Sequence, residues 1–354
     1  MHSLREFFPA VSGQSDQSDQ QNLQPASPMS RRGFLRSAAV SGATLAVAPA
    51  LFTTQASGQA SAQAAAAPAK ADFVSTSRAA AAKTPITVTR LYDNLFLLQG
   101  AGGNMAVQTG ADGKVLIDSS YMTAAPLILA KLDELSKDPA HLLINSHWHV
   151  DHVDGNQPMH AAGFAILAHE KTRERLSTPQ TMKILDISLP AYPAAAWPVT
   201  TFHESLTLWR NGDQLDLAHY APAHTDTDIY VHFRKANVLH VADIWFNGFY
   251  PLIDESSGGK IDGMIAASAQ ALTLADSETK IIPGHGPLGN KAQLADYHQM
   301  LVEARERVAA IKRTGATEKE TVARKPTAAL DAKWGKGFMS PEVFTGLVYR
   351  TLPA

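Results

Sequence analysis

The chain has 354 residues, 45% of them hydrophobic and 18% charged, with a formal net charge of -2, enough apolar material for one large or two small domains. Charge this close to balanced excludes binding to a polyanion through bulk electrostatics, so no nucleic-acid partner is expected. There is no cysteine, which excludes disulfides and thiolate metal sites and leaves any transition metal to the 14 histidines and the carboxylates.

Residues 1–29 are polar, rich in Gln, Ser and Asp. Ser30-Arg31-Arg32-Gly33-Phe34-Leu35 follows, then a weakly apolar stretch at 38–52 and Ala-x-Ala-like sites near 56–62. Paired arginines ahead of a modest apolar segment resemble a bacterial twin-arginine export signal, here residues 1–56, which implies a periplasmic or secreted protein. The apolar stretch is too short and too rich in small residues to leave a stable membrane span in the mature protein. Residues 57–85, dominated by Ala, Ser and Gln, read as a disordered linker, with order beginning near Ile86.

From there, 86–90 and 95–98 predict paired strands, and 104–109 and 114–117 continue them around the hairpin turn Gly110-Ala111-Asp112-Gly113. Leu127, Ile128, Leu132 and Leu135 recur at helical spacing within 124–137. Leu142-Leu143-Ile144 predicts a buried strand, 164–167 another, and 170–176 a polar helix. The Pro-rich run 187–200 predicts no regular element and reads as a flap. Short strands follow at 206–209, 214–217, 229–233 and 238–241, then a helix at 261–274, a strand at 280–282 and a long helix at 291–311. Strands followed by helix, twice over, predict two sheets packed face to face with helices outside.

The run His147-Trp148-His149-Val150-Asp151-His152 follows the strand at 142–144 directly. A turn there can send His147 and His149 one way and Asp151 and His152 the other, serving two ions as two-metal hydrolysis requires. Imidazole and carboxylate suit zinc, with iron or manganese not excluded. Further candidates are His224, between two predicted strands, Asp243, after the strand 238–241, and His285 in Pro283-Gly284-His285-Gly286-Pro287, after another strand, where glycines permit close backbone approach. Asp118 ends the strand Val115-Leu116-Ile117. His169 reads as a satisfied strand-end residue, and His141, His160, His203, His219, His232, His240 and His298 as structural. No Ser or Cys stands in a nucleophile elbow.

His147 to His152, Gly155-Asn156, His224, Asp243 and Pro283 to Gly286, in that order, resemble the metallo-beta-lactamase superfamily over about residues 86–290. The resemblance implies an α+β fold, a four-layer αββα sandwich with its site along one edge. It implies that His147, His149 and His224 hold one zinc ion, that Asp151, His152 and His285 hold a second, and that Asp243 bridges. Asp118 would steady the histidine loop from behind. The implied activity is hydrolysis of a small molecule, a metal-activated hydroxide attacking the carbonyl of an ester, lactone, thioester or lactam, with Asp151 orienting it and moving a proton. The redox branch of the family places Glu where His149 stands, which favours hydrolysis. The alternative is an exported metal-binding accessory protein with the same fold and little catalysis. Trp197, Phe246 and Phe249 are candidates to line an apolar pocket, and residues 291–354 are expected as a helical extension packed on the sandwich.

Overall fold

The computed structural model describes residues 72–353; the expected export signal and the linker up to residue 71 lie outside the described residues. Strands β1 (Thr87–Tyr92), β2 (Leu95–Gln99), β3 (Met105–Gln108) and β4 (Lys114–Ile117) form an antiparallel meander. Parallel strands β5 (Ala140–Ile144) and β6 (Ala165–His169) extend it. The chain then makes a small hairpin, β7 (Gln180–Met182) and β8 (Ile187–Leu189), before β9 (Thr200–Phe202) completes the first sheet. The second sheet runs β10 (Ser205–Arg210), β11 (Asp213–His219), β12 (Ile229–Phe233) and β13 (Val238–Phe246) antiparallel. It ends with β14 (Lys280–His285), parallel to β13, and the edge strand β15 (Gly289–Asn290).

Period-2 alternation in these strands makes two apolar interiors. Leu95, Val115, Ile117 and Ile144 of the first sheet meet Leu215, Leu217, Val231 and Phe233 of the second. The intervening Leu116, Leu143 and Ile166, and Leu239, Val241 and Ile281, turn outward to helices. Helices α2 (Ala125–Leu135) and α4 (Asn156–Ala161) contribute Ile128, Leu132 and Met159 to that outer packing; α3 (Val150–Val153) and α5 (Glu170–Leu176) lie on the same connection path. On the second sheet α6 (Ile261–Leu274) and α7 (Lys291–Lys312) supply Met264, Ala271, Leu294 and Leu301. The result is the αββα sandwich. Among the described residues no helix is long and apolar enough to cross a membrane.

The chain after β15 is helical. An Asn290–Gln293 capping box starts α7, and α8 (Glu318–Ala323), α9 (Ala328–Trp334) and α10 (Pro341–Thr351) follow. Phe344 of α10 stacks on Tyr250 with ring centroids 4.3 Å apart, and the Tyr250 N–H donates to the Trp334 carbonyl at 2.9 Å, so this tail is bound to the loop leaving β13.

Two expectations need correction. The segment 57–85 is not disordered throughout: α1 (Phe73–Ala81) occupies part of it. Asp72 caps that helix by accepting from the Ser75 N–H at 2.7 Å, Val74 and Ala81 are buried, and Arg78 forms a bidentate pair with the buried Asp154 (2.9 and 2.5 Å). An alanine-rich composition does not disclose that long-range anchor. The Pro-rich run 187–200 also contains regular pieces, β8, a single 3-10 turn at Ala194–Ala196, and the first residue of β9.

Candidate metal centre

The candidate residues gather at one end of the sandwich, where β4 and β5, running parallel, stop together. Asp118, just past β4, takes a positive φ of 62°. Its carboxylate accepts from the Ser146 N–H (2.7 Å), the Ser146 hydroxyl (2.6 Å) and His152 Nδ1 (2.7 Å). The loop after β5 is thereby held from behind, and His149 serves as the N-cap position of α3, whose first turn carries Asp151 and His152. His224 sits between β11 and β12. Asp243 lies inside β13, where pairing with β14 slips on both sides of Ala242 and Ala242 itself has φ 47°. This bulge re-aims the strand at the site, and a non-glycine residue in that region stores about 1–3 kcal/mol of strain. His285 ends β14.

Ligand-capable atoms fall into two groups, each within 4.8 Å: His147, His149, His224 and Asp243, and Asp151, His152 and His285. Asp243 Oδ2 lies 3.3 Å from His224 Nε2, 3.4 Å from His285 Nε2 and 3.9 Å from His147 Nε2, and its Oδ1 lies 3.1 Å from His152 Nε2. Asp243 therefore stands between the groups. Asp151 Oδ2 is 3.2 Å from His285 Nε2.

The outward-facing ring nitrogens decide what these groups can hold. His224 Nδ1 donates to the Leu252 carbonyl at 2.8 Å, and His149 Nε2 donates to Asp254 at 3.1 Å. In a neutral imidazole those bonds consume the only N–H, so His224 Nε2 and His149 Nδ1, 2.8 Å apart, face each other with lone pairs. His147 Nε2, His152 Nε2 and Asp243 Oδ1 are buried with no hydrogen-bond partner among the described residues. Converging lone pairs and unpartnered buried atoms are costly unless a cation lies among them. The opposite ring nitrogens are bonded to carboxylates, a carbonyl or a hydroxyl, as metal-ligating histidines require. The donor set fits divalent metal.

Protonation agrees. Burial, reinforced by neighbouring imidazoles, holds His147 and His149 below the ordinary histidine range, and burial also lowers His224, leaving them neutral as ligation demands. For His152 and His285 burial works in the other direction, but the carboxylates of Asp243 and Asp151 (with Asp118 for His152) outweigh it and raise both.

Two residues that sequence reasoning missed hold this arrangement. Asp254 orients His149 and also accepts from the Ser256 N–H (3.0 Å) and the Ser257 hydroxyl. Asp228 accepts from the Thr225 N–H (2.8 Å) and hydroxyl (2.5 Å), fixing the loop that carries His224; burial raises its carboxyl to about 7. The alternation in His224-Thr225-Asp226-Thr227-Asp228 was the one available signal for Asp228; Asp254, 105 positions from His149, had none. A third group, His169, Glu170 and His203, is already satisfied: His169 accepts the Lys171 N–H and donates to the His203 carbonyl.

The centre opens into a cavity of about 330 Å³. Phe246 and Phe249 line it, together with Phe73, Met182, Leu185, Ile187, Leu252 and Phe338. Trp197 does not: its indole N–H donates to the Tyr192 carbonyl at 2.8 Å and its ring lies under Arg173, so the expectation of a pocket role for it is corrected. Among the described residues no lysine or arginine lines it.

A family model described as the metallo-beta-lactamase superfamily matches residues 99–286. Among solved structures, a metallo-beta-lactamase from Pontibacter korlensis is 17% identical with a TM-score of 0.52, the match covering 61% of this chain and 98% of that one. A stereoselective inverting sec-alkylsulfatase from Pseudomonas sp. is 17% identical with a TM-score of 0.59, covering 78% of this chain and 52% of that one; this chain thus matches about half that protein's length. No curated protein matches the sequence significantly. At these identities the structural likenesses speak to fold alone.

Proposed function

The chain belongs to the metallo-beta-lactamase superfamily, whose members are mostly metal-dependent hydrolases, and from that premise we propose that it is an exported binuclear zinc hydrolase acting on the carbonyl of an ester, lactone, thioester or lactam. The observation that carries the proposal is the convergence of the facing His149 and His224 ring nitrogens with the buried His147 Nε2, His152 Nε2 and Asp243 Oδ1, which have no hydrogen-bond partner among the described residues. His147, His149 and His224 would hold one ion and Asp151, His152 and His285 the other, with Asp243 serving both. When bound, the pair supplies water ionised near neutral pH and a Lewis acid for the substrate oxygen.

The chain's own residues do the rest. Asp151 borders the cavity; burial tends to raise its carboxyl, but His152 and His285 hold it low, so it is ionised at neutral pH. It would orient the attacking hydroxide and pass the proton released when that water ionises to the leaving group. Asp118 and Asp254 fix the ring orientations of His152 and His149. The apolar walls exclude bulk water from the reacting carbonyl. The test is turnover of nitrocefin, a homoserine lactone, a thioester and an aryl ester by purified protein, chelated and then restored with zinc. Zinc-dependent turnover of one class, abolished by His149→Ala, supports the proposal. No turnover by fully metallated protein would leave a metal-binding accessory protein as the reading.

A further inference from the structure

We propose that Phe73 of α1 and Phe338 of the C-terminal extension form a clamp over the cavity mouth, making the site selective for uncharged substrates that carry an extended apolar acyl group. This rests on the hydrolase reading and names its substrate class. The two rings lie with centroids 5.9 Å apart, both line the cavity, and they are 37% and 53% exposed. Exposed large apolar rings paired at the mouth of an apolar cavity are what a hydrophobic ligand would cover. Both come from outside residues 99–286, so the clamp is an addition to the family core.

Each half is fixed in place. α1 is tied to the histidine loop through Arg78 and Asp154, and the Thr123 hydroxyl donates to the Arg78 carbonyl at 2.5 Å. On the other side the backbone at Gly337 lies so close to Phe249 that a Cβ there would fall 2.3 Å from Phe249 Cβ. Phe249 meets Phe246 edge-on at 5.8 Å, and Phe246 stacks on His285 at 5.3 Å. An apolar path therefore runs from the clamp to the metal centre. The cavity, about 330 Å³, holds roughly a dozen non-hydrogen atoms at about 30 Å³ each. With no lysine or arginine among the described lining residues, a carboxylate or sulfate at the far end of the substrate would be desolvated with no cationic partner there.

The experiment compares kcat/KM for p-nitrophenyl esters from acetate to decanoate with the zinc-loaded full chain. The clamp predicts a rise of up to about fourfold per enclosed methylene. It also predicts a loss of about tenfold or more when the acyl chain ends in a carboxylate. Phe73→Ala combined with Phe338→Ala should lower the decanoate-to-acetate ratio about tenfold. Decanamide binding to zinc-free protein, followed by thermal shift, reads the clamp without turnover and should weaken in the double variant. Ester hydrolysis with a flat chain-length profile, or an unchanged ratio in the double variant, overturns the clamp alone. Absence of all hydrolysis sinks the hydrolase reading, and decanamide binding then decides the clamp separately.

Discussion

Asp254→Asn isolates one polar contact behind the metal centre. The Asp254 carboxylate is buried, receives His149 Nε2 at 3.1 Å on one oxygen, and is held below the usual carboxylate range: burial alone would raise it, but His149, Ser256 and Ser257 together lower it. Asparagine retains the shape. It loses the charge that assists the His149 bond, and with its oxygen kept toward His149 its amide nitrogen cannot accept from the Ser256 N–H or the Ser256 hydroxyl on the other side. Removing an orienting partner of this kind weakens metal binding about 10–100-fold, or about 1.4–2.7 kcal/mol. Competition with a chromophoric zinc chelator should show this loss at the ion held by His147, His149 and His224, with the second ion less affected. Excess zinc should restore kcat. Unchanged zinc affinity in a variant that melts like the parent would refute the assigned role of Asp254, because the remaining bonds of His149 would then suffice to fix its ring.

Three other perturbations reach different parts of the structure. In Gly284→Ala the new Cβ would fall 1.9 Å from Asp243 Oδ1 and 2.7 Å from the Asp243 nitrogen; we expect a destabilisation of about 1–3 kcal/mol and less than the parental zinc content by elemental analysis, and retention of both would contradict the close packing. Burial, and then the stacked His219, hold His169 down to about 4, while an unfolded histidine takes up its proton near 6.5, so the unfolded chain binds more protons between these values and stability falls as pH drops through that window. Urea unfolding of zinc-free protein should therefore show the parent losing ground to His169→Asn, which keeps a helix-capping side chain, between pH 7 and 4.5; a pH-independent difference would count against it. Replacing Arg31 and Arg32 by lysine should leave the protein in the cytoplasmic fraction of a bacterial host, as the export proposal requires, and undiminished export would remove it.

The order of strands and helices was legible because alternation and helical spacing persist in nearly every element, from Leu95 and Leu97 to the buried face of α7. The Gly110 to Gly113 turn and the histidine run likewise announce themselves locally. All seven candidate ligands converge; those of the histidine run, His224 and His285 lie in or at the end of segments that sequence pattern can locate, whereas Asp243 lies inside β13. What was hidden depends on distant partners or backbone geometry. Helix α1 is secured by Arg78 reaching Asp154, 76 positions away, and nothing in an alanine-rich stretch signals that bond. The bulge at Ala242 that presents Asp243 requires a positive φ at an ordinary alanine. Trp197 misled because aromatic content does not specify which way a ring faces; its indole N–H is taken by Tyr192. Phe73 and Phe338 reach the cavity only through tertiary packing of the two ends of the described chain.

The most direct test of the binuclear hydrolase is a zinc titration of chelator-treated protein, with ester or lactone hydrolysis read at each addition. Activity should return with zinc and level off at about two equivalents per chain. Absence of hydrolysis at every zinc loading, or saturation of both binding and activity at one equivalent, would contradict it.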